Sequence, residues 1–156
     1  MKIVDNLFIT GYNKIYASAF YTLNKAWITE QWNLENSDLK DLLDPENAII
    51  KKGGEIFFAI NKKTPIGTVA MIPHQSGFYE LAKMTIEKNY RGLGIANLLL
   101  EKCIFFAKEK KAKEIFLISN RSLTIARNLY DKYGFKEVQL NSQKYERGDV
   151  KMCLKL

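Results

Sequence analysis

Apolar and polar positions alternate along the 156-residue chain in patterns that predict several β-strands. Short runs rich in β-branched and aromatic residues, bounded by Gly, Pro or Asn, are typical of strands. The predicted strands are residues 3–10, 56–60, 66–72, 78–86, 114–118 and 135–140, and a final strand with Val150, Met152, Leu154 and Leu156 on one face.

Apolar residues recur every three or four positions in the intervening segments, which predicts four helices. Ser37 is predicted to cap the second, short helix, which Asp44-Pro45 ends. The other apolar stripes are Ile15-Ala19-Leu23-Trp27, Ile95-Leu99-Cys103-Phe106 and Ile125-Ala126-Leu129-Tyr130-Tyr133.

The order of these elements predicts the topology of the sheet. Two short turn-like segments join strands 56–60, 66–72 and 78–86, which predicts an antiparallel meander. Strands 78–86 and 114–118 flank a helix, so a right-handed crossover should make them parallel neighbours. With no repeat and no linker, residues 1–156 are interpreted as one α+β domain around a mixed sheet.

Composition excludes several classes of protein and concentrates positive charge in the second half. The chain is 47% hydrophobic and 26% charged, which is typical of a globular protein rather than a disordered one. No apolar run approaches the length of a membrane span, and Asp5 interrupts any signal peptide, so we expect a cytoplasmic protein. Residues 81–156 hold 16 basic and 8 acidic residues, a net charge of +8, which suits a phosphorylated ligand.

The basic half alone also allows nucleic-acid binding, but no aromatic residues interleave with its Lys run, so nucleic acid is not expected as a partner. His74 lies in a turn without a second His or clustered carboxylates, and no metal site is predicted. A homodimer remains compatible with the sequence.

A pair of glycines marks the turn from strand 78–86 into the next helix. Gly92 and Gly94 have no side chain, so the amides of residues 91–96 could approach an anion at the positive end of the helix dipole. Glycine at such a turn can also serve geometry alone. Asn97 replaces the third Gly of a dinucleotide-binding fingerprint, and no P-loop Lys follows.

The chain resembles the Gcn5-related N-acetyltransferase (GNAT) family in two motifs and in element order. Tyr90-Arg91-Gly92-Leu93-Gly94-Ile95 is similar to the first family signature, and the second is matched by Ala126, Leu129, Tyr130, Lys132, Gly134 and Phe135. The resemblance implies an acyl-CoA N-acyltransferase fold, with a mostly antiparallel sheet of about seven strands and helices on both faces. Segments 80–84, 119–120 and 145–150 resemble a bacterial subgroup that is sometimes fused to MarR-type domains.

The resemblance implies acetyl-CoA as the donor, bound between strands 78–86 and 114–118. Its cofactor contacts would come from Met84, Thr85, Ile86, Arg91, Gly92, Leu93, Gly94, Ile95, Ala96, Asn120, Asn128 and Tyr130. Asn120 lies ten residues before Tyr130, whereas many members place a cofactor-contacting Asn seven before.

Two residues are predicted to carry the proton transfers. Tyr130 occupies the family position of the acid that protonates the departing thiolate, although it also fits the apolar stripe of its helix. Glu80 is the candidate base, on a strand face shared with Ala82, Met84 and Ile86, where burial could raise its pKa or the carboxylate could act through a water molecule. An exposed structural ion pair with Lys83 or another Lys is the alternative for Glu80.

The predicted acceptor is the primary amine of a small molecule or amino acid. Trp27 and Tyr145 could line the acceptor pocket, and Arg147 could hold a carboxylate bidentately. Core packing of Trp27 and a surface ion pair of Arg147 are the alternatives. The other function left open is a non-catalytic acyl-CoA-binding or sensing domain.

Overall fold

Strands and helices follow one another in the predicted order in the computed structural model, which describes residues 6–141 and 144–156. The strands are β1 Phe8–Thr10, β2 Glu55–Asn61, β3 Thr64–Pro73, β4 Phe78–Ile86, β5 Glu114–Ser119, β6 Lys136–Val138 and β7 Val150–Lys155. The helices are α1 Ala17–Ile28, α2 Asn36–Leu42, α3 Ile95–Glu109 and α4 Thr124–Lys132. The predicted first strand begins at Ile3, which lies outside the described residues.

The strands form one mixed sheet in the order β1-β2-β3-β4-β5-β7-β6. Of its pairings only β4 with β5 is parallel, as the crossover through α3 requires. The mixed, mostly antiparallel seven-stranded α+β fold predicted from the sequence is therefore confirmed.

Hydrophobic residues lie on both faces of the sheet, in two clusters. On one face, alternate residues of β2 such as Ile56 and Phe58 pack with Phe20 of α1 and Leu42 of α2. On the other face, a larger cluster includes Leu99 of α3 and Tyr130 of α4. Each face of the central strands is thus covered, and the cleft described below lies between the helices and the sheet.

Helix α1 buries a different stripe from the predicted one. Phe20, Asn24 and Ile28 are its buried residues, whereas Ile15 precedes the helix and is 72% exposed. Both stripes have a four-residue spacing, so periodicity alone could not choose between them. The same limit applies to Ile125 in α4, which is 88% exposed although it was assigned to the apolar stripe.

The N-cap of helix α2 lies two residues before the predicted one. Its N-cap residue is Glu35, and the Asp38 side chain accepts a hydrogen bond from the Glu35 amide at 2.9 Å. Ser37 lies inside the first turn instead. With the cap at Glu35, Asp38 is the third residue of the helix, and its side chain is fully buried.

Strand β4 contains a β-bulge that reverses the direction of its side chains. Thr68 of β3 pairs with Thr85, but Ala70 pairs with Ala82, so β4 has one extra residue in this interval. Lys83 lies in the bulge with a φ of +58°. The prediction that Glu80 shares a face with Met84 and Ile86 is therefore wrong: Ala82 packs on the α1 side, and Met84 on the α3 side.

Candidate active site

A cleft of about 600 Å³ opens where β4 and β5 separate. The two strands pair only from Phe78–Glu114 to Glu80–Phe116, and beyond Glu80 no further pairing joins them. Residues of β4 and β5 beyond this point line the cleft, together with the end of α1 and the starts of α3 and α4. An extended ligand can fit between the unpaired edges of these two separated strands.

One end of the cleft is formed by the glycine turn before α3. Gly92 and Gly94 have φ values of +80° and +81°, a region that favours glycine. A Cβ built on either residue would meet nothing within 4 Å, so the space above the turn is open. Within the described residues, no acceptor takes the amides of residues 92–97; the first helical hydrogen bond runs from the Leu98 amide to the Gly94 carbonyl.

The Arg91 side chain turns away from this open space. Its Nε donates to the Ile86 carbonyl at 3.0 Å, and its Nη2 lies 3.1 Å from the Glu30 carboxylate at the end of α1. These contacts fix the turn against β4 and α1. What the segment offers to a ligand is therefore backbone amides rather than a guanidinium.

Of the residues predicted to contact the cofactor, Leu93 and Asn128 do not line the cleft, and all the others do. The Asn120 side chain donates to the Arg147 carbonyl at 2.6 Å and accepts from the Ser122 amide at 2.9 Å. In this geometry Asn120 holds the loop after β5 against the segment before β7.

Tyr130 lies inside the cleft wall with 7% of its surface exposed. Its ring packs against Phe135 at 5.8 Å between centroids. Burial raises the pKa of the Tyr130 phenol, so it stays protonated at neutral pH. Within the described part of the chain, no group hydrogen bonds to the hydroxyl, which leaves its proton available to a ligand.

Glu80 is 1% exposed and lies at the last paired position before the strands separate. Its Oε1 is 3.0 Å from His74 Nε2 and 3.1 Å from Lys144 Nζ. Burial by itself would raise its pKa, but the hydrogen bond from His74 and the charge of Lys144 outweigh burial and lower the pKa. The expected rise in pKa is therefore wrong, and Lys144, not Lys83, is the ion-pair partner.

Lys83 pairs with Asp38 instead, in a buried cluster at the other end of the cleft from the glycine turn. Lys83 Nζ lies 2.6 Å from Asp38 Oδ1 and donates to the Tyr145 hydroxyl at 3.1 Å. The Lys83 side chain is 3% exposed and that of Asp38 is fully buried. Sequence analysis missed both residues.

Asp38 also holds Arg147. The Arg147 Nη1 and Nη2 atoms lie 2.9 and 2.7 Å from the two Asp38 oxygens, and Nη1 is 3.1 Å from Glu35. Burial by itself would raise the pKa of Asp38, but the Arg147 hydrogen bonds and the Lys83 charge lower it to about 2. Arg147 therefore does form an ion pair through this edge of its guanidinium, but the pair is buried rather than at the surface as expected.

The predicted acceptor residues line the same cleft. Trp27 packs against Trp32 at 5.8 Å between ring centroids, and it is half-buried rather than a core residue. Tyr145 is 6% exposed, with the Arg147 guanidinium carbon 4.5 Å from its ring centroid. The spacing Glu35-x-x-Asp38 at a helix start was the signal that could have drawn attention to the acidic half of the cluster.

Within residues 6–141 and 144–156, His, Cys and carboxylate side chains form no group of three that could hold a metal ion. No helix in these ranges combines the length and apolarity needed to cross a membrane.

Comparison with known proteins identifies relatives of the chain. N-acetylaspartate synthetase of Xenopus tropicalis is 32% identical over 108 residues, 68% of this chain and 40% of that protein. The chain spans under half the length of the curated relatives it matches.

Solved structures of acetyltransferases share the fold of this chain. A GNAT-family acetyltransferase from Staphylococcus aureus Mu50 superposes with a TM-score of 0.87 at 25% identity, over 96% of this chain and 98% of that one. A Salmonella typhimurium structure solved with acetyl-CoA has a TM-score of 0.79 at 15% identity, over 97% of this chain and 94% of that one. Since the model of the acetyltransferase (GNAT) family matches residues 14–135, the chain belongs to that family.

Proposed function

We propose that this chain transfers the acetyl group of acetyl-CoA to the primary amine of a small molecule or an amino acid. One observation carries the proposal: the cleft between β4 and β5 runs to an open helix start whose amides have no partner in the described chain. The Salmonella typhimurium neighbour, solved with acetyl-CoA, supports this choice of donor.

The residues of the glycine turn fit a pyrophosphate. No atom of the described residues lies within 4 Å of the Cβ positions of Gly92 and Gly94, and the amides that follow point from the positive end of the α3 dipole. The edge of β4 at Met84, Thr85 and Ile86 would pair with the pantetheine arm as a neighbouring strand would. An amide of Met84 or Thr85 would donate to the thioester carbonyl oxygen as negative charge develops on it.

Acetyl-CoA supplies a thioester whose carbonyl carbon an amine can attack directly. The amine lone pair forms the new C–N bond, the C–S bond breaks, and the thiolate needs a proton. The Tyr130 hydroxyl, protonated and unpartnered within the described residues, would donate that proton. The proton lost by the amine would pass to Glu80, whose buried carboxylate lines the cleft.

The donor half of the proposal is tested by binding. Acetyl-CoA and CoA should each raise the melting temperature, as any ligand that binds only the folded state does. A protein whose melting temperature stays the same at millimolar acetyl-CoA and CoA would refute the proposal.

The acceptor half is tested by following thiol release from acetyl-CoA across a panel of amines and amino acids. N-Acetylaspartate synthetase, the relative at 32% identity, makes aspartate a first acceptor to include. Turnover with at least one amine is expected. Acetyl-CoA binding without any turnover would contradict the transfer reaction.

That outcome would favour the second candidate, a non-catalytic acyl-CoA-binding or sensing domain. The observation in its favour is that Glu80 is already bonded to His74 and Lys144, with a lowered pKa that weakens it as a base. In a sensing domain, Tyr130→Phe would leave acyl-CoA affinity and every other measured behaviour unchanged.

A further inference from the structure

Three hydrogen-bond donors lie together at the end of the cleft away from the glycine turn. Lys83, Tyr145 and Arg147 all line the cleft, as Glu80 does. Their side chains are almost fully buried, with Lys83 at 3% and Arg147 at 11% exposed. A buried donor normally has an acceptor, so a complete account of their hydrogen bonds shows what this end of the cleft still needs.

Lys83 and Tyr145 each keep one donor. The Lys83 ammonium has three N–H groups, and two of them are directed to Asp38 and to the Tyr145 oxygen. Since the Tyr145 oxygen accepts from Lys83, its own hydroxyl proton must be donated elsewhere. Across the described ranges, neither the third N–H of Lys83 nor the Tyr145 proton finds an acceptor.

Arg147 keeps a whole edge of its guanidinium. Its end-on edge, Nη1 and Nη2, is bonded to Asp38, and the second Nη1 hydrogen goes to Glu35. The side-on edge retains the Nε–H and one Nη2–H, which are parallel and match the two oxygens of a carboxylate. No acceptor in the described part of the chain faces this edge.

The Asp38 carboxylate has no capacity left for these donors. Asp38 Oδ1 accepts from Lys83 and Arg147, and Oδ2 accepts from Arg147 and the Glu35 amide. Each Asp38 oxygen therefore already receives two hydrogen bonds. Asp38 offsets the charge of Lys83, and Glu35 offsets that of Arg147, so the cluster is held together without using its remaining donors.

The cleft therefore holds unused N–H and O–H donors near the buried carboxylate of Glu80. Such a site suits a ligand with an anionic group for the donors and a cationic group for the carboxylate. We propose that the acceptor is an amino acid, whose carboxylate is bound by Lys83, Tyr145 and Arg147 while its amine lies towards Glu80. This inference rests on the proposed function and narrows its acceptor from any primary amine to one that bears a carboxylate.

The test compares matched acceptors that differ only in this group. Amino acids, their carboxamides and their decarboxylated amines are assayed by thiol release from acetyl-CoA, and the same compounds are titrated calorimetrically into the CoA-saturated protein. The amino acid is expected to exceed its amide and its amine by about tenfold or more in kcat/KM, because charge-assisted hydrogen bonds are lost in the other two.

Two variants assign the preference to the cluster. Lys83→Met keeps the length of the side chain, and Tyr145→Phe keeps the ring in case the first variant folds poorly. Each should reduce the ratio of amino acid to amide about tenfold and leave the Kd for CoA unchanged. Lys102→Met, on the exposed side of α3, is the matched control and should keep the wild-type ratio.

The outcomes separate this inference from the proposed function. Equal turnover of acids, amides and plain amines would overturn the carboxylate subsite and leave acetyl transfer in place. Carboxylate-dependent binding without turnover would support the subsite and contradict the transfer reaction. If CoA binds but neither binding nor turnover of any amino acid, amide or plain amine is detected, both fail.

Discussion

The two ends of the cleft differ in what they offer a ligand. At the glycine turn no atom of the described residues lies within 4 Å of the Cβ positions of Gly92 and Gly94, and the backbone amides of residues 92–97 have no partner within the described chain. At the proposed acceptor end, side chains fill the wall, and Asp38, Lys83 and Arg147 are bonded mainly to one another.

This difference indicates which end of the cleft would select the acceptor. Backbone amides recognise any phosphate, so a turn of this kind suits a donor shared by many enzymes. A buried ionic cluster contributes little net stability, but its geometry is exacting. Variation between relatives in the acceptor should therefore arise at the second end.

The first prediction separates the two ends most strongly. Gly92→Glu would place a carboxylate in the open space above the turn, so we expect the Kd for CoA to rise by at least about 100-fold, since several charge-assisted bonds are lost. Isothermal titration calorimetry measures this. The φ of +80° adds about 1–2 kcal/mol of strain, which a circular dichroism melt would show as a modest drop in stability.

Gly53→Glu is the matched control for that variant. Gly53 also has a positive φ, +97°, and open space at its Cβ position, but it lies outside the cleft. It should show the same strain with normal CoA affinity. Unchanged CoA affinity in folded Gly92→Glu would mean that the pyrophosphate does not bind at residues 91–96.

The second prediction removes the carboxylate that Lys83 and Arg147 share at the proposed acceptor end. Asp38→Asn leaves the buried Lys83 and Arg147 without their shared anion, so unfolding free energy should fall by about 3–5 kcal/mol. Urea denaturation measures the loss. The exposed Asp131→Asn should change stability by under about 0.5 kcal/mol. A variant of Asp38 as stable as the control would show that the cluster does not depend on this carboxylate.

The third prediction tests chemistry between the two ends. Tyr130→Phe removes the proton donor without changing the ring, so kcat should fall about 100-fold while the Kd for CoA stays the same. Tyr133→Phe removes a hydroxyl that donates to the side chains of Asn97 and Glu101, and Tyr133 itself does not line the cleft, so this variant should retain wild-type kcat. Steady-state rates with the best acceptor decide the point, and wild-type kcat in Tyr130→Phe would exclude Tyr130 as the acid.

The fourth and smallest effect is a dependence of stability on pH. The pKa of Asp38 is lowered to about 2 in the folded protein, below its ordinary value, so its stabilising contribution is complete above the ordinary pKa and disappears as pH falls towards 2. Denaturation midpoints between pH 5 and about 2.5 should fall more steeply in the wild type than in Asp38→Asn. Parallel slopes would contradict this assignment.

Element order, the crossover and the glycine turn could be predicted because each depends on local pattern. Gly92 and Gly94 need their residue type for backbone conformation alone, and β4 was predicted with its observed bounds, residues 78–86. The stripe of residues predicted to be buried in α1 was wrong because two different sets of residues, each spaced four apart, fit the same segment. The surface that each stripe meets belongs to distant strands.

The partners of the charged residues could not be predicted for a related reason. Lys83 meets Asp38 across 45 positions and Tyr145 across 62, and the bulge that turns it appears in no local pattern. Glu80 meets Lys144 across 64 positions, and the hydrogen bond from His74 together with the charge of Lys144 reversed the expected direction of the Glu80 pKa.

By itself, the sequence determined the fold family, the topology and the position of the glycine turn, because periodicity, chirality and glycine conformation act over a few residues. Only the tertiary structure decided which carboxylates are neutralised and which donors remain unused at the proposed acceptor end. Charges interact through space, with energies that depend on distance and burial, so their pairing follows from the folded arrangement rather than from order along the chain.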